Sequence, residues 1–278
     1  MPARFARCAL AANASRTRTR PATCYKALTA PECGPVCVNR AGILMSSIVA
    51  ENAVPKQNDS KLRLYLSPAE FIDSDHAAVR TKAAAAVGSV SDPVEQARVL
   101  YRAVRDEIRY DPYIDYTDPE TYRASSVLAK GHGYCVGKAS VYVALCRAIG
   151  IPARLGLADV KNHLATPRLL EAVGTDLFAY HGYVEIKLGQ GWIKATPTFN
   201  VSLCERLGVP PLEFSGEADA LLQPFDAKGR EFMSYVTQHG TFFDVPAKFL
   251  IGEMTRLYPK LCRPGGLRGD MEREGGKR

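Results

Sequence analysis

Between Tyr134 and Gly150 the chain reads YCVGKASVYVALCRAIG, without a proline and with apolar residues at Val136, Ala139, Val143, Cys146 and Ile149. That spacing predicts a helix with an apolar face, and small or apolar residues on its other positions predict a buried one. Gly150 and Pro152 end it. The rest of the chain therefore has to supply a core around this helix.

Two cysteines fall on this stretch and differ by position. Cys135 occupies the first turn, where unpaired backbone N–H groups and the positive end of the helix dipole favour a thiolate and lower its pKa. The same N–H groups are able to hold an oxyanion. Gly131 and Gly133 in the approach, GHGYC, leave the backbone open to a substrate. Cys146 lies about three turns deeper and reads as a small core hydrophobe.

Of the net charge of +7, the first 44 residues carry +6 and residues 260–278 carry +3, so the middle of the chain is slightly acidic. No nucleic-acid-binding motif accompanies the basic ends, and nucleic acid is not an expected partner. No apolar run reaches the roughly 18 residues that a membrane helix needs, so a soluble protein is expected. The eight cysteines stand at 8, 24, 33, 37, 135, 146, 204 and 262, and the four in the first 37 residues show no paired C-x-x-C spacing and no nearby histidine. They fit a reducing cytoplasm better than a disulfide scaffold, and neither a metal ion nor another cofactor is expected.

Residues 1–60 are expected to be a disordered basic segment, either resembling a transit peptide over 1–44 or preceding a true start at Met45. A domain over 61–262 and a disordered polar tail over 263–278 follow. KLRLYLSPAEFI, 61–72, alternates and predicts a strand; an Ala-rich helix over about 75–88 comes next. SDPVEQARVLYRAVRDEIRY carries a helix start, with Ser91 or Asp92 as cap and Pro93 in the first turn. Its apolar face comprises Val94, Ala97, Leu100, Tyr101, Val104 and Ile108. ARLGLADV, 153–160, predicts a strand, 161–177 a loop, and 178–200 a hairpin about Gly189-Gln190. Short strands follow Val209, and VPAKFLIGEMTRLY predicts a last helix. Helices early and strands later make an α+β pattern.

The hairpin carries His181. In FAYHGYVEIKL the even positions are mainly apolar, so His181, Tyr183, Glu185 and Lys187 are expected on a polar face. A two-residue loop pairs Leu188 with Gly191, Lys187 with Trp192, Glu185 with Lys194, Tyr183 with Thr196 and His181 with Thr198. Glu185 and Lys194 are then a cross-strand ion pair, and Thr196 stands diagonally from His181.

With these residues in view, GHGYCVGKASVYVALCRAIGIPARL followed by YHGYVEIKLGQGWIKATP resembles the transglutaminase-like superfamily, including its microbial members of protease or amidase character. The resemblance runs through Arg147, Gly150, Ile151, Pro152, Ala153 and Arg154, the His-x-x-Val-Glu strand and the Trp-containing strand. It implies a papain-like fold, with the catalytic cysteine at a helix N-terminus packed on an antiparallel sheet. It also implies Cys135 as nucleophile and His181 as general base and acid. Where the family usually has Asp before Pro, Thr196 precedes Pro197, so the resemblance leaves three arrangements. Thr196 orients His181; Thr198, Asn200 or Glu185 does so instead; or the domain binds without catalysing. The expected activity is acyl transfer from a peptide or protein amide, chiefly hydrolysis. Amine cross-linking and a non-catalytic interaction module are the alternatives.

Overall fold

Asp92 opens a helix by accepting from the N–H of Glu95 at 2.9 Å, with Pro93 next to it, as the sequence predicts. The computed structural model describes residues 62–163 and 165–275, and the expected disordered segment 1–60, with Met45, lies outside them. The helices before the central one are α1 (Ala77–Val87), α2 (Pro93–Glu107) and α3 (Ala124–Lys130). His76 caps α1 through its own ring, which accepts from the Ala78 N–H. Ala97, Leu100, Tyr101, Val104 and Ile108 turn inward from α2 and its C-terminal boundary.

The central helix α4 (Cys135–Ala148) is buried at every residue from Cys135 to Arg147. Helices α1, α2 and α3 pack on it from one side. On the other side lies an antiparallel sheet of β3 (Ala153–Asn162), β4 (Leu177–Leu188), β5 (Gly191–Ala195) and β6 (Met233–Phe242), in the order β5-β4-β3-β6. A helix enclosed on all sides buries its polar residues too, and each has found a partner. Lys138 donates to the carbonyls of Arg105 and Ile108, where α2 ends. Arg147 donates to the carbonyls of Ala153, Ser67 and Phe243 at 3.0, 2.9 and 2.6 Å, tying the C-terminal end of α4 to three chain segments.

Two short parallel strands, β1 (Arg109–Tyr110) and β2 (His132–Gly133), dock the approach to Cys135. Gly131 turns left-handed there, at φ 67°, to end α3. A Cβ on Gly133 would sit 3.0 Å from Val127 Cγ1, so this glycine serves close packing on α3, where the sequence suggested substrate access.

The hairpin register is as read, from Val184 opposite Ala195 to Leu188 opposite Gly191. The ion pair is a correction. Glu185 is bound by Arg154, its partner across β3 and β4, at 2.6 and 2.8 Å, while Lys194 lies over the Tyr183 ring. Arg154 also stacks on Trp192 at 4.1 Å, and Arg takes this fork-and-stack role better than Lys does.

Several sequence expectations are overturned. Residues 62–64 form a helical turn and no strand, with Tyr65 and Leu66 closing back on Leu62 and Arg63. The expected loop 161–177 contains helix α5 (Pro167–Val173), capped by Thr166 and ended by left-handed Gly174. The expected strand through Asn200 stops at Ala195, since Pro197 cannot donate to a ladder, and α6 (Val201–Leu207) follows. After Val209 the expected LEFSG strand is irregular chain, and β6 is the regular strand that forms. The helix predicted from VPAKFLIGEMTRLY, α7 (Ala247–Leu257), stands where predicted.

The segment from Arg263 to Gly275 is no disordered tail. It ends in α8 (Met271–Gly275), with Met271 buried. Glu272 accepts from Asn200 and Ser202, Glu274 from Thr166 and Tyr113, and Asp115 holds the Gly265 N–H. Polar residues anchor this segment, which an argument from apolar content misses.

Candidate active site

Cys135 is the first residue of α4, and β4 crosses that first turn at Gly182. The crossing is so close that a Cβ on Gly182 would fall 2.8 Å from Val136 Cα and 3.0 Å from Val136 N. Only glycine allows it. His181, one residue earlier, is thereby carried to the cysteine end of the helix. Both side chains line one cavity of about 50 Å³.

The walls of that cavity are mostly apolar, formed among others by Tyr110, Tyr116, Phe178, Leu169, Met254 and Tyr258. Cys135 is 9% exposed and His181 5%, so the expectation of a half-exposed polar face is wrong. The cause is that β4 is an inner strand covered on both faces. Burial sets the protonation state. It pushes the Cys135 thiol up to about 11, against the N–H groups of Gly182, Val136 and Cys135 itself, which pull it down. It pushes the His181 imidazole down to about 4. The pair rests as neutral thiol and neutral imidazole, where helix position alone predicts a thiolate.

Of the residues considered for holding the histidine, Glu185 is engaged by Arg154. Asn200 is engaged by the Tyr110 N–H, Ser202 and Glu272. Thr196 is buried but is not part of the cavity wall. Its hydroxyl makes no hydrogen bond of normal geometry, and lies near the Tyr235 phenol, whose rise to about 12 it holds back against burial. Tyr235 meets the His181 ring edge-on, 6.0 Å between centroids. Thr198 does line the cavity, is buried, and has an unpartnered hydroxyl; His181 Nε2 is also unpartnered.

Cys146 is fully buried in the core, its thiol pushed far up by burial, as its depth in the helix predicts. The sequence reading missed Tyr235 and Asp159. Tyr235 was only part of a strand pattern, and Asp159 sat inside an apolar run as a single interruption. Among the described residues no group of three His, Cys, Asp or Glu side chains is arranged to hold a metal ion. No described helix is long and apolar enough to cross a membrane.

Residues 80–197 match the family described as the Transglutaminase-like superfamily. No curated protein matches the sequence. Among solved structures, a putative cysteine protease from Cytophaga hutchinsonii is similar, with TM-score 0.43 and 18% identity. The match covers 68% of this chain and 49% of that one, so the chain spans about half the length of that protein.

Proposed function

We propose, from the match of residues 80–197 to the transglutaminase-like superfamily, that the chain is a cysteine-dependent enzyme that takes an acyl group from a peptide or protein amide and passes it to water. The observation that carries this reading is the single apolar cavity lined by Cys135 at a helix N-terminus and by His181 on the crossing strand. Hydrogen-bonding capacity at His181 Nε2 and Thr198 Oγ1 is still unused there.

The reaction starts from the neutral pair. Cys135 Sγ attacks the carbonyl carbon as its proton passes to His181, and the carbonyl π electrons move to oxygen. The backbone N–H groups of Val136 and Gly182, close to Sγ, are placed to receive that oxyanion. Collapse of the tetrahedral species breaks the C–N bond, and the amine leaves with the proton from the imidazolium. The thioester is then attacked by water, His181 taking its proton and returning it to the thiol as the acid departs. Thr198, whose hydroxyl lines the same cavity and has no other partner, is the group available to hold the ring as the imidazolium forms, while Thr196 lies beside Tyr235.

The cavity walls are mostly apolar, which favours an acyl residue with an apolar side chain. Incubation with the 7-amido-4-methylcoumarin derivative of N-acetyl-phenylalanine tests the proposal. Fluorophore release that is lost in Cys135→Ser and falls at least about 100-fold in His181→Ala is expected. Release undiminished in Cys135→Ser contradicts it. Addition of a dansylated primary amine decides the acceptor: incorporation in preference to hydrolysis makes the enzyme a cross-linker.

A further inference from the structure

We infer that Asp159 is a positioning residue for His181, acting through the backbone of β4; this rests on the reading of Cys135 and His181 as the reacting pair. In β3, Asp159 alone stands between Ala158, paired with His181, and Val160, paired with Phe178, so that β4 has two residues, Ala179 and Tyr180, opposite one. This is a β-bulge, and it changes which side chains share a face.

In an unbroken strand, residues three apart point to opposite faces. Phe178 and His181 are three apart and both line the cavity with Cys135. The bulge between them is what places them together.

Holding the bulge requires an unfavourable backbone. Tyr180 has φ 57°, the one left-handed non-glycine residue among those described, and a bulky side chain resists that conformation. Its N–H donates to Asp159 Oδ1 at 3.0 Å. The same oxygen meets His239 Nε2 at 2.7 Å. His239 is itself the extra residue of a register shift in β6, between Gln238, paired with Ala158, and Gly240, paired with Leu157. Its ring stacks on Tyr180, 4.8 Å between centroids, while Tyr180 Oη donates to Glu253 of α7 at 3.1 Å. One carboxylate therefore joins the irregularities of both strands that flank β3, and one of them ends at the histidine. With no carboxylate at position 196, the direction of His181 is set through its main chain.

The test is the p-nitrophenol burst on acylation by N-acetyl-phenylalanine p-nitrophenyl ester, with circular dichroism to confirm folding. Asp159→Asn keeps an acceptor for the Tyr180 N–H and is expected to acylate within about threefold of wild type. Asp159→Leu removes the acceptor and is expected to acylate at least about tenfold more slowly. In Asp159→Leu/Tyr180→Gly, glycine accepts the left-handed backbone without help, and at least about threefold of that loss is expected back. Rescue by glycine separates positioning from general damage, and the double variant supplies the comparison with wild type should Asp159→Leu not fold. A folded Asp159→Leu protein acylating at the wild-type rate overturns the proposal, as does an Asp159→Asn protein as slow as Asp159→Leu. His181→Ala, run alongside, distinguishes the two levels: acylation unchanged in that variant removes the pair itself, whatever the Asp159 variants do.

Discussion

Gly182 passes so close to Val136 that a single added methyl group would lie 2.8 Å from the Val136 Cα atom. Backbone meets backbone there, and no flexible side chain is able to give way. Gly182→Ala is therefore expected to lower stability by about 1–3 kcal/mol, the usual cost of overpacking. It also pushes His181 from Cys135, so acylation falls more than stability does. Chemical denaturation beside burst kinetics reads both; a fully active, equally stable alanine variant would show that the crossing is not tight.

His181 ties stability to pH. Its imidazole titrates near 4 in the folded protein against 6.5 in the unfolded chain, because burial disfavours the cation. Between these values the unfolded chain binds the extra proton, so stability is lost as pH falls from 6.5 to 4 and levels off below. The shift corresponds to about 3 kcal/mol. Urea denaturation of wild type and His181→Gln across pH 4–7 checks it: the difference between the two is expected to shrink or reverse toward pH 4, and a constant difference counts against a buried neutral ring.

Lys138 works in the opposite part of the pH range. It is fully buried, and burial brings its ammonium down to about 7 from 10.5. The unfolded chain then carries more protons between pH 7 and 10.5, and stability rises through that window. Lys138→Met removes the slope and leaves the carbonyls of Arg105 and Ile108 without their donor. Denaturation midpoints at pH 7 and 9.5 are expected to separate for wild type and to coincide more nearly for the variant.

The two threonines are predicted to differ. Thr198 lines the cavity with His181, whereas Thr196 is outside the cavity wall and lies near Tyr235. Thr198→Val is expected to slow acylation about tenfold or more, because its hydroxyl, unpartnered in the resting site, is then missing when the imidazolium forms. Thr196→Val is expected to change it less than Thr198→Val does. The reverse order would return the orienting role to Thr196.

Local chemistry was legible where a short stretch determines the outcome. Asp92 with Pro93 marked the start of α2, and Gly189-Gln190 fixed the hairpin register from Leu188 to Val184. The buried helix with Cys135 at its start and Cys146 in its core was readable from apolar spacing. What failed depended on distant chain. Glu185 has two cross-strand neighbours, and choosing Arg154 over Lys194 needs the strand order. The face of His181 depends on a bulge held by Asp159 and His239, which no alternation within β4 records. The segment after Arg263 is held by Glu272 and Glu274 on residues far away in sequence, so its polarity read as disorder.

Position 196 shows why the site was only partly readable. Resemblance put Thr196 in the place of the family's aspartate and left its role open; in the fold Tyr235 of β6 lies against the ring, and β6 follows the matched region 80–197. No motif inside that region could have supplied Tyr235.

Cys135 is expected to become acylated with His181 as its proton partner. This is tested by acid quenching during turnover of N-acetyl-phenylalanine p-nitrophenyl ester, followed by peptide mass spectrometry. An acyl group is expected on Cys135 in wild type, none on that peptide in Cys135→Ser, and far slower formation in His181→Ala. An adduct spread equally over Cys135, Cys204 and Cys262, or one formed at the same rate without His181, contradicts it.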